Sequence, residues 1–214
     1  MGQSESKEVA NDGKYAELRR LAEQKGPVAM SKYLQENIQK WKEEKVKFAV
    51  TGRSATGKST FINKIRNVKP RDPGYAKSGS GNTTKEPTPY QNPQNQLIVF
   101  YDLPGIGTLQ FPKETYVSKM ELCKYDYFFI FFDKVVNEDE NFLICELLKL
   151  EKSYCLIRSK IDDDIRNAED DGRTEEEVIP AIRQQINDQI LCYSHLNHCD
   201  AIFLISSKRK DIGN

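Results

Sequence analysis

The segment Gly52 to Ser59, with the sequence GRSATGKS, has the residue types and spacing of a phosphate-binding loop. In the pattern G-x-x-x-x-G-K-[ST], backbone N–H groups surround the phosphates of a nucleotide, the lysine contacts the β- and γ-phosphates, and the last hydroxyl binds Mg²⁺. The pattern therefore assigns phosphate contacts to Lys58 and a Mg²⁺ ligand to Ser59. An ordinary glycine-containing turn can match the same pattern by accident, and the flanking elements distinguish the two.

The residues on both sides of this loop support the phosphate-binding interpretation. Val46 to Val50 have the character of a β-strand, and Thr60 to Ile65 predict the beginning of a helix. When a helix follows such a loop, its N-terminus faces the bound anion and stabilises it. The residues that we expect to line the nucleotide phosphates are Gly52, Arg53, Ser54, Ala55, Thr56, Gly57, Lys58, Ser59 and Thr60.

A second predicted strand, Gln96 to Tyr101, leads into the sequence DLPG, which has the D-x-x-G form of a GTPase motif. In that motif the carboxylate supports a water of the Mg²⁺ shell, and the glycine N–H reaches the γ-phosphate without an obstructing side chain. We therefore expect Asp102 to support the metal and Gly105 to take part in catalysis. Without the phosphate loop upstream, these four residues would equally predict a turn.

Residues suited to base recognition follow a further predicted strand, Tyr154 to Arg158. The next four residues, SKID, approximate the [NT]-K-x-D guanine motif. Asp162 would accept hydrogen bonds from N1–H and the exocyclic amine of guanine, Lys160 would pack over the base, and adenine presents the wrong pattern. Because Ser159 replaces the usual asparagine or threonine, we expect its hydrogen bond to the phosphate loop to be weaker. The alternative is a solvated lysine and aspartate at a strand end.

Three further segments complete the expected site and its surroundings. A last predicted strand, Ala201 to Ile205, ends at Ser206 and Ser207, whose turn would present a backbone N–H to the guanine carbonyl. The stretch Val68 to Asn95 has many prolines and small polar residues and no sustained period, so we predict a long loop. The acidic stretch Asp162 to Gly172 is predicted as a second, solvated loop.

Several segments around these motifs resemble the immunity-related GTPases, the interferon-inducible family with a dynamin-like mode of action. The similarity is carried by YDLPGIGT at residues 101–108 with the run at 111–130 after it, by AKSG at 76–79, by PYQNP at 89–93, and by the Met-Gly-Gln start. It covers about residues 45–208 and the extreme N-terminus.

The resemblance implies an α/β fold, a Ras-like P-loop GTPase domain with a mostly parallel central sheet flanked by helices, and an N-terminal helical segment. It implies GTP and GDP as ligands, Mg²⁺ as cofactor, hydrolysis of GTP, and GTP-dependent homodimers or oligomers. It also implies a cytoplasmic protein associated peripherally with intracellular membranes. Thr84 matches the switch threonine of the family and would be a second Mg²⁺ ligand, with Thr83 and Thr88 as alternatives. Together with Lys58 and Gly105, Thr84 is expected to take part in catalysis.

Two positions depart from related GTPases and predict slow intrinsic turnover. Asn82 stands where members of the family carry a glutamate implicated in catalysis, and Ile106 stands where small GTPases place a water-orienting glutamine. No arginine is an obvious internal catalytic finger. We therefore expect hydrolysis to depend on self-association through the segment Gly79 to Thr88, because a group supplied in trans typically raises the rate by about 10³ to 10⁵.

The chain is predicted to have three parts. Residues 1–13 form a flexible N-terminus, 14–44 a helical segment with two amphipathic faces, and 45–214 the GTP-binding domain, which lacks the last helix and the C-terminal helical domain of the family. Gly2 fits the M-G-x-x-x-[ST] pattern for myristoylation and would attach the chain to an intracellular membrane. The alternative is an ordinary, unmodified start.

Composition agrees with a nucleotide-binding domain and argues against some other classes. A chain of 214 residues can bury one such domain, and 32 basic residues balanced by 32 acidic ones do not favour nucleic acid as a partner. Five scattered cysteines predict reduced thiols in the cytosol. Cys192, His195, His198 and Cys199 have zinc-binding residue types, but the adjacency of the last two favours a simple connection. No apolar run is long enough to span a bilayer.

Two other function classes share the phosphate loop. A P-loop nucleotide or metabolite kinase would prefer adenine, against which the SKID sequence argues. A nucleotide-binding adaptor that hydrolyses weakly or not at all is the second alternative.

Overall fold

The structure is a computed structural model that describes Lys32, residues 43–77, residue 79, residues 84–192, Leu196 and residues 199–206. The chain divides into two units, Met1–Glu44 and Lys45–Asn214. Some predictions lie outside the described residues: the modification of Gly2, the amphipathic N-terminal segment, the roles of Asn82, Thr83 and Ser207, and a zinc site that includes His195 and His198.

The second unit is built on a six-stranded sheet. The strands are β1 Val46–Gly52, β2 Thr88–Gln91, β3 Ile98–Asp102, β4 Tyr127–Phe132, β5 Ser153–Arg158 and β6 Ile202–Leu204. They pair in the order β2-β3-β1-β4-β5-β6, in which β2 runs antiparallel to β3 and every other neighbouring pair is parallel. Because the parallel strands are covered on both faces, they read as nearly continuous apolar runs such as YFFIFF in β4.

Helices connect the parallel strands, as parallel pairing requires. The helices are α1 Lys58–Ile65, α2 Lys113–Met120, a 3₁₀ turn Leu122–Lys124, α3 Glu138–Lys149, α4 Ile161–Asp170 and α5 Glu175–Cys192. Aliphatic side chains from α3, α4 and α5 pack on one face of the sheet together with Phe128, Ile130 and Phe132, and α1 packs Ile62 on the other face beside Phe131. Among the described residues, no helix combines the length and apolar composition needed to cross a bilayer.

The stretch Val68 to Asn95, predicted entirely as a loop, contains the edge strand β2. The register of this strand pairs Thr88 with Asp102 and Pro89 with Tyr101. Proline is tolerated there because an edge strand need not donate every N–H to a neighbour. The pairing was not apparent from sequence because a four-residue segment with a central proline lacks a strand signal.

The prediction of a solvated loop from Asp162 to Gly172 is wrong, because α4 occupies most of this stretch. Ile161, Ile165 and Ala168 recur at helical spacing and are buried, which forms an apolar stripe beneath an acidic surface. Three aspartates in the first turn also suit a helix, since negative charge near a helix N-terminus is favourable. The many acidic residues of the segment suggested a solvated loop, although the apolar residues have helical spacing.

Candidate nucleotide-binding site

The phosphate loop lies between β1 and α1, at the carboxyl end of the central strands. This end of an open α/β sheet is where such folds bind ligands. Gly52 has a φ of +122°, and a Cβ there would lie 2.1 Å from the Phe131 carbonyl oxygen. Gly57 has a φ of +90° immediately before α1 begins. The two glycines therefore allow the loop to curl closely against β4 and to enter the helix.

Lys58 is buried inside the curl of this loop, with 7% of its surface exposed. Its Nζ donates to the carbonyl oxygens of Gly52 at 3.2 Å and of Arg53 at 2.7 Å. The hydroxyl of Thr56 donates to the same Arg53 carbonyl at 2.9 Å. Burial lowers the pKa of Lys58 to about 8, although the carboxylate charges of Asp102 and Glu140 oppose the shift. The ammonium therefore titrates close to neutral pH and is poorly solvated, as suits a group that pairs with phosphate.

The three residues predicted for the metal site, Ser59, Thr84 and Asp102, lie together. Ser59 Oγ donates to Asp102 Oδ2 at 2.5 Å, and Thr84 Oγ1 donates to the same oxygen at 3.1 Å. Asp102 Oδ1 is buried and accepts no hydrogen bond from the residues that the structure describes. Burial raises the pKa of Asp102, while the Ser59 bond, the charge of Lys58 and the Thr84 bond act in the opposite direction.

This donor set fits a hard divalent cation. Two hydroxyl oxygens and a carboxylate are the ligand types that Mg²⁺ uses, directly or through water. A positive ion would also compensate the buried carboxylate and its unpartnered oxygen. Of the alternative threonines, Thr88 lies opposite Asp102 in the sheet but donates its hydroxyl to the Glu86 carbonyl at 3.0 Å. In the described part of the chain, Thr84 is therefore the threonine whose hydroxyl bonds Asp102.

The segment after Asp102 packs directly on the phosphate loop. The Leu103 N–H donates to Val50 O at 3.0 Å, and a Cβ added to Gly105 would lie 2.7 Å from Ser54 N. Gly105 is therefore required for this close approach. The side chain of Ile106 is buried in the apolar core, so it does not reach toward the phosphate loop as a water-orienting group would.

Two buried side chains that the sequence motifs did not predict connect to the site. Tyr116 lies between Thr51 Oγ1 at 2.9 Å and Pro104 O at 2.8 Å, and it donates its hydroxyl proton to the Pro104 carbonyl. Glu140 accepts hydrogen bonds from Arg53 N at 3.3 Å and Asn137 N at 3.1 Å, and burial raises its pKa. An asparagine three residues before a glutamate is a helix-start pattern that could have located Glu140. The contact with the phosphate loop is not visible in that pattern.

The base-recognition residues lie next to the phosphate loop. Ser159 Oγ donates to Thr56 O at 2.8 Å and lies 3.2 Å from Phe132 O. Serine therefore makes a hydrogen bond to the phosphate loop, and the expectation that this bond is weaker than that of an asparagine or threonine stays a prediction. Lys160 follows with a φ of +59° at the start of α4, and its Nζ lies 3.7 Å from Asp133.

Asp162 lies in the first turn of α4 and is 8% exposed. Its Oδ1 accepts a hydrogen bond from Ser206 Oγ at 2.9 Å. The Ile161 N–H donates to Ile205 O at 3.4 Å, so the ends of β5 and β6 meet at this carboxylate. The structure thus brings Ser159, Lys160, Asp162 and Ser206 together, beside the phosphate loop.

This strand order, with a phosphate loop after β1 and the other motifs at neighbouring strand ends, defines a Ras-like P-loop GTPase fold. The chain belongs to the interferon-inducible GTPase (IIGP) family, whose profile matches residues 17–212. The resemblance seen in the sequence is thereby confirmed.

Curated relatives from mouse support this assignment. The chain is 37% identical over 139 residues to Interferon-inducible GTPase 1 of Mus musculus, a match that covers 63% of this chain and 33% of the relative. It is 34% identical over 166 residues to Interferon-gamma-inducible GTPase 10 of the same species, covering 74% of this chain and 38% of the relative. The chain therefore spans only about a third to two fifths of the length of these relatives.

Solved structures share the fold. NFeoB from S. thermophilus bound to GDP.AlF4⁻ and K⁺ superposes with a TM-score of 0.51 at 19% identity, covering 78% of this chain and 57% of that one. The same protein bound to mGMPPNP gives a TM-score of 0.50 at 19% identity, covering 77% of this chain and 56% of that one. At this identity the likeness concerns the fold alone.

Proposed function

We propose that this chain binds GTP with Mg²⁺ and hydrolyses it to GDP. The observation that carries the proposal is the meeting of Ser59 and Thr84 on one oxygen of the buried Asp102, whose pKa is sensitive to the charge of Lys58. A simple turn would not explain this arrangement, because it buries a carboxylate oxygen that has no hydrogen-bond partner among the described residues.

At the phosphate end, Lys58 would exchange its loop carbonyls for the β- and γ-phosphates, and the backbone N–H groups after Gly52 would surround them. Ser59 and Thr84 would ligate Mg²⁺, and Asp102 would support a water in its shell. The metal, when bound, neutralises charge between the β- and γ-phosphates. Gly105, packed against Ser54, would bring its N–H to the γ-phosphate.

At the base end, Asp162 would accept the two donors of guanine, and the stem of Lys160 would cover the ring. Ser206 supports the assignment, because its bond to Oδ1 restricts the carboxylate before the base arrives. A site built for paired donors rejects a base lacking them, since the carboxylate would be left unpaired. GTP should therefore bind far better than ATP.

Turnover should be slow in the isolated molecule and should rise on self-association. The buried Ile106 supplies no group to orient the attacking water. A catalytic group contributed by a second copy would be typical of GTPases that need activation in trans. Specific activity should then increase with protein concentration in GTP, while the GDP complex stays monomeric in sedimentation experiments. Constant specific activity from nanomolar to tens of micromolar protein would contradict activation in trans.

Attachment to an intracellular membrane through an acylated Gly2 is the second part of the proposal. A single myristoyl chain gives an association constant of only about 10⁴ M⁻¹, so binding should be reversible and strengthened by clustering. The Gly2→Ala variant should become diffuse in cells. An intact mass without the acyl group in the natural protein would contradict this part.

Titration of the purified chain with fluorescent GTP, GDP and ATP, with and without Mg²⁺, tests the central proposal. Guanine nucleotides should bind preferentially, and Mg²⁺ should strengthen the binding of GTP more than the binding of GDP. Phosphate release should follow binding of GTP. Preference for ATP would indicate a kinase-like protein, and tight GTP binding without any release of phosphate would indicate an adaptor.

A further inference from the structure

Arg158, the last residue of β5, is a buried charge that the nucleotide motifs do not use. Only 3% of its surface is exposed. One guanidinium nitrogen, Nη2, donates to Asp164 Oδ2, and the other, Nη1, donates to the carbonyl oxygen of Ser159. Nε is buried and has no acceptor among the described residues. The arginine thus joins the end of a strand to the first turn of the next helix.

The two residues that Arg158 contacts lie before Lys160 and after Asp162 in the sequence, on either side of these base-recognition residues. Ser159 precedes Lys160, and Asp164 lies two residues after Asp162 in the first turn of α4. The Arg158 carbonyl also accepts the Ile205 N–H at 2.9 Å, next to the serine that bonds Asp162. A change in the guanidinium contacts would therefore shift both the start of α4 and the segment after β6 that carries Ser206.

We propose that the Arg158–Asp164 ion pair is a positioning device for guanine selectivity, because it holds the turn from Ser159 to Asp162 in the orientation that points Asp162 at the base. This inference rests on the proposed function. Neither residue would touch the nucleotide, and both would act through Asp162.

The burial of Arg158, whose side chain is 4% exposed against 25% for Asp164, supports a positioning role. A buried ion pair is often no more stabilising than apolar residues of the same volume, so its presence is poorly explained by stability alone. A guanidinium has a planar, directional set of donors that fixes geometry better than a flexible ammonium. Removing Asp164 would leave this cation buried without its carboxylate, and the turn would move to hydrate it.

A second ion pair, whose two residues both lie in α4, provides a matched control. Arg166 and Asp163 pair across three positions, but their side chains are 59% and 44% exposed, against 4% and 25% for Arg158 and Asp164. Exposed pairs contribute little to geometry or stability. Asp163→Ala should therefore leave base selectivity unchanged, although the residue is next to Asp162.

The test compares GTP with inosine triphosphate, which lacks only the exocyclic amine that Asp162 would read. Affinities are measured by competition with a fluorescent guanine nucleotide, and inorganic tripolyphosphate serves as a probe of the phosphate loop alone. The natural chain should prefer GTP to inosine triphosphate by about 10-fold or more. In Asp164→Ala the preference should fall at least about fivefold, since a displacement of about 1 Å at a contact can cost about 100-fold. Tripolyphosphate affinity should remain within about twofold.

A double variant, Arg158→Met with Asp164→Leu, separates positioning from stability. Apolar replacement of both charges should preserve the thermal midpoint, as it does for other buried pairs, and should still lose the preference for GTP. It also gives a folded protein if Asp164→Ala does not fold.

Three results would overturn the inference, and they differ in what they say of the proposed function. If the natural chain prefers GTP and the double variant keeps the same preference, the pair has no positioning role, and guanine recognition stands. A parallel loss of GTP, inosine triphosphate and tripolyphosphate affinity in both variants would mean a structural role only. If the natural chain shows no preference for GTP over inosine triphosphate and ATP, the guanine assignment itself is wrong.

Discussion

The two ends of the candidate nucleotide site, the phosphate end around Asp102 and the base end around Asp162, are built from different kinds of contacts. At the phosphate end Lys58 donates to carbonyls of its own loop, and Asp102 keeps a buried oxygen without a partner in the described part of the chain. At the base end Asp162 receives the Ser206 hydroxyl and Ser159 donates to a buried carbonyl.

This difference separates the tasks of charge compensation and recognition. The phosphate end concentrates charged groups whose pKa values are shifted by burial, lowered for Lys58 and raised for Asp102, which is the arrangement that a charged ligand and a metal stabilise. The base end is ordered by bonds within the protein, which suits discrimination between bases of equal charge. Substitutions at the phosphate end should therefore affect the rate, and those at the base end should affect the choice of nucleotide.

The largest effect is expected for Lys58→Ala. Removing the ammonium that contacts the β- and γ-phosphates should reduce the rate of GTP hydrolysis by about 10³-fold, as loss of a charge-stabilising group does in other enzymes. Single-turnover phosphate release measures it. Lys64→Ala, in the exposed part of the same helix, should behave like the natural chain. Full hydrolysis by Lys58→Ala would show that the phosphate end does not act on GTP.

Asp162→Asn should change the choice of base and leave the phosphate end intact. The loss of paired acceptors should weaken GTP binding by about 3 kcal/mol, while xanthosine triphosphate, whose altered edge suits an amide, should bind better. Competition titration with both nucleotides measures the switch. Unchanged GTP affinity in this variant would remove Asp162 from the base end.

The pH dependence of kcat/KM should report Lys58. Because burial lowers its pKa to about 8 in the folded protein, the ammonium is present below that pH and is lost as the pH rises through it. Phosphate contact requires the charged form, so kcat/KM should fall by about tenfold per pH unit above the pKa. Lys58→Arg keeps its charge throughout this range and should show a lower rate without the fall. An identical profile in both proteins would assign the titration to another group.

The smallest effect on nucleotide binding is expected for Ser159, whose bond to Thr56 O joins the base end to the phosphate end. Ser159→Ala removes the hydroxyl bond to Thr56 O and leaves a buried carbonyl with one fewer donor, which should reduce the free energy of nucleotide binding by about 1 kcal/mol. Both GTP and tripolyphosphate should be affected, since the bond supports the phosphate loop from the base end. Ser153→Ala, at the exposed start of β5, the strand that precedes Ser159, is the control. A loss restricted to GTP would show that Ser159 acts on the base alone.

Much of the fold and the outline of the site could be predicted from local patterns. The phosphate loop, DLPG and SKID each lie at the end of an apolar strand. Because parallel strands place their carboxyl ends at one edge of the sheet, the three motifs could be expected to meet there. The strand β2 was missed because its four residues have a weak local pattern. The helix α4 was missed because its many acidic residues obscure the spacing of three buried apolar ones.

The residue types and spacing of these motifs are properties of the chain itself, because backbone turns, hydroxyl ligands and carboxylates do their chemistry over a few neighbouring residues. The contacts that hold the motifs together depend on folding. Glu140 meets Arg53 across 87 positions of sequence, and Ser159 meets Thr56 across 103. No local pattern encodes such pairs, since the sheet brings them together only when distant strands pair and the helices between them pack.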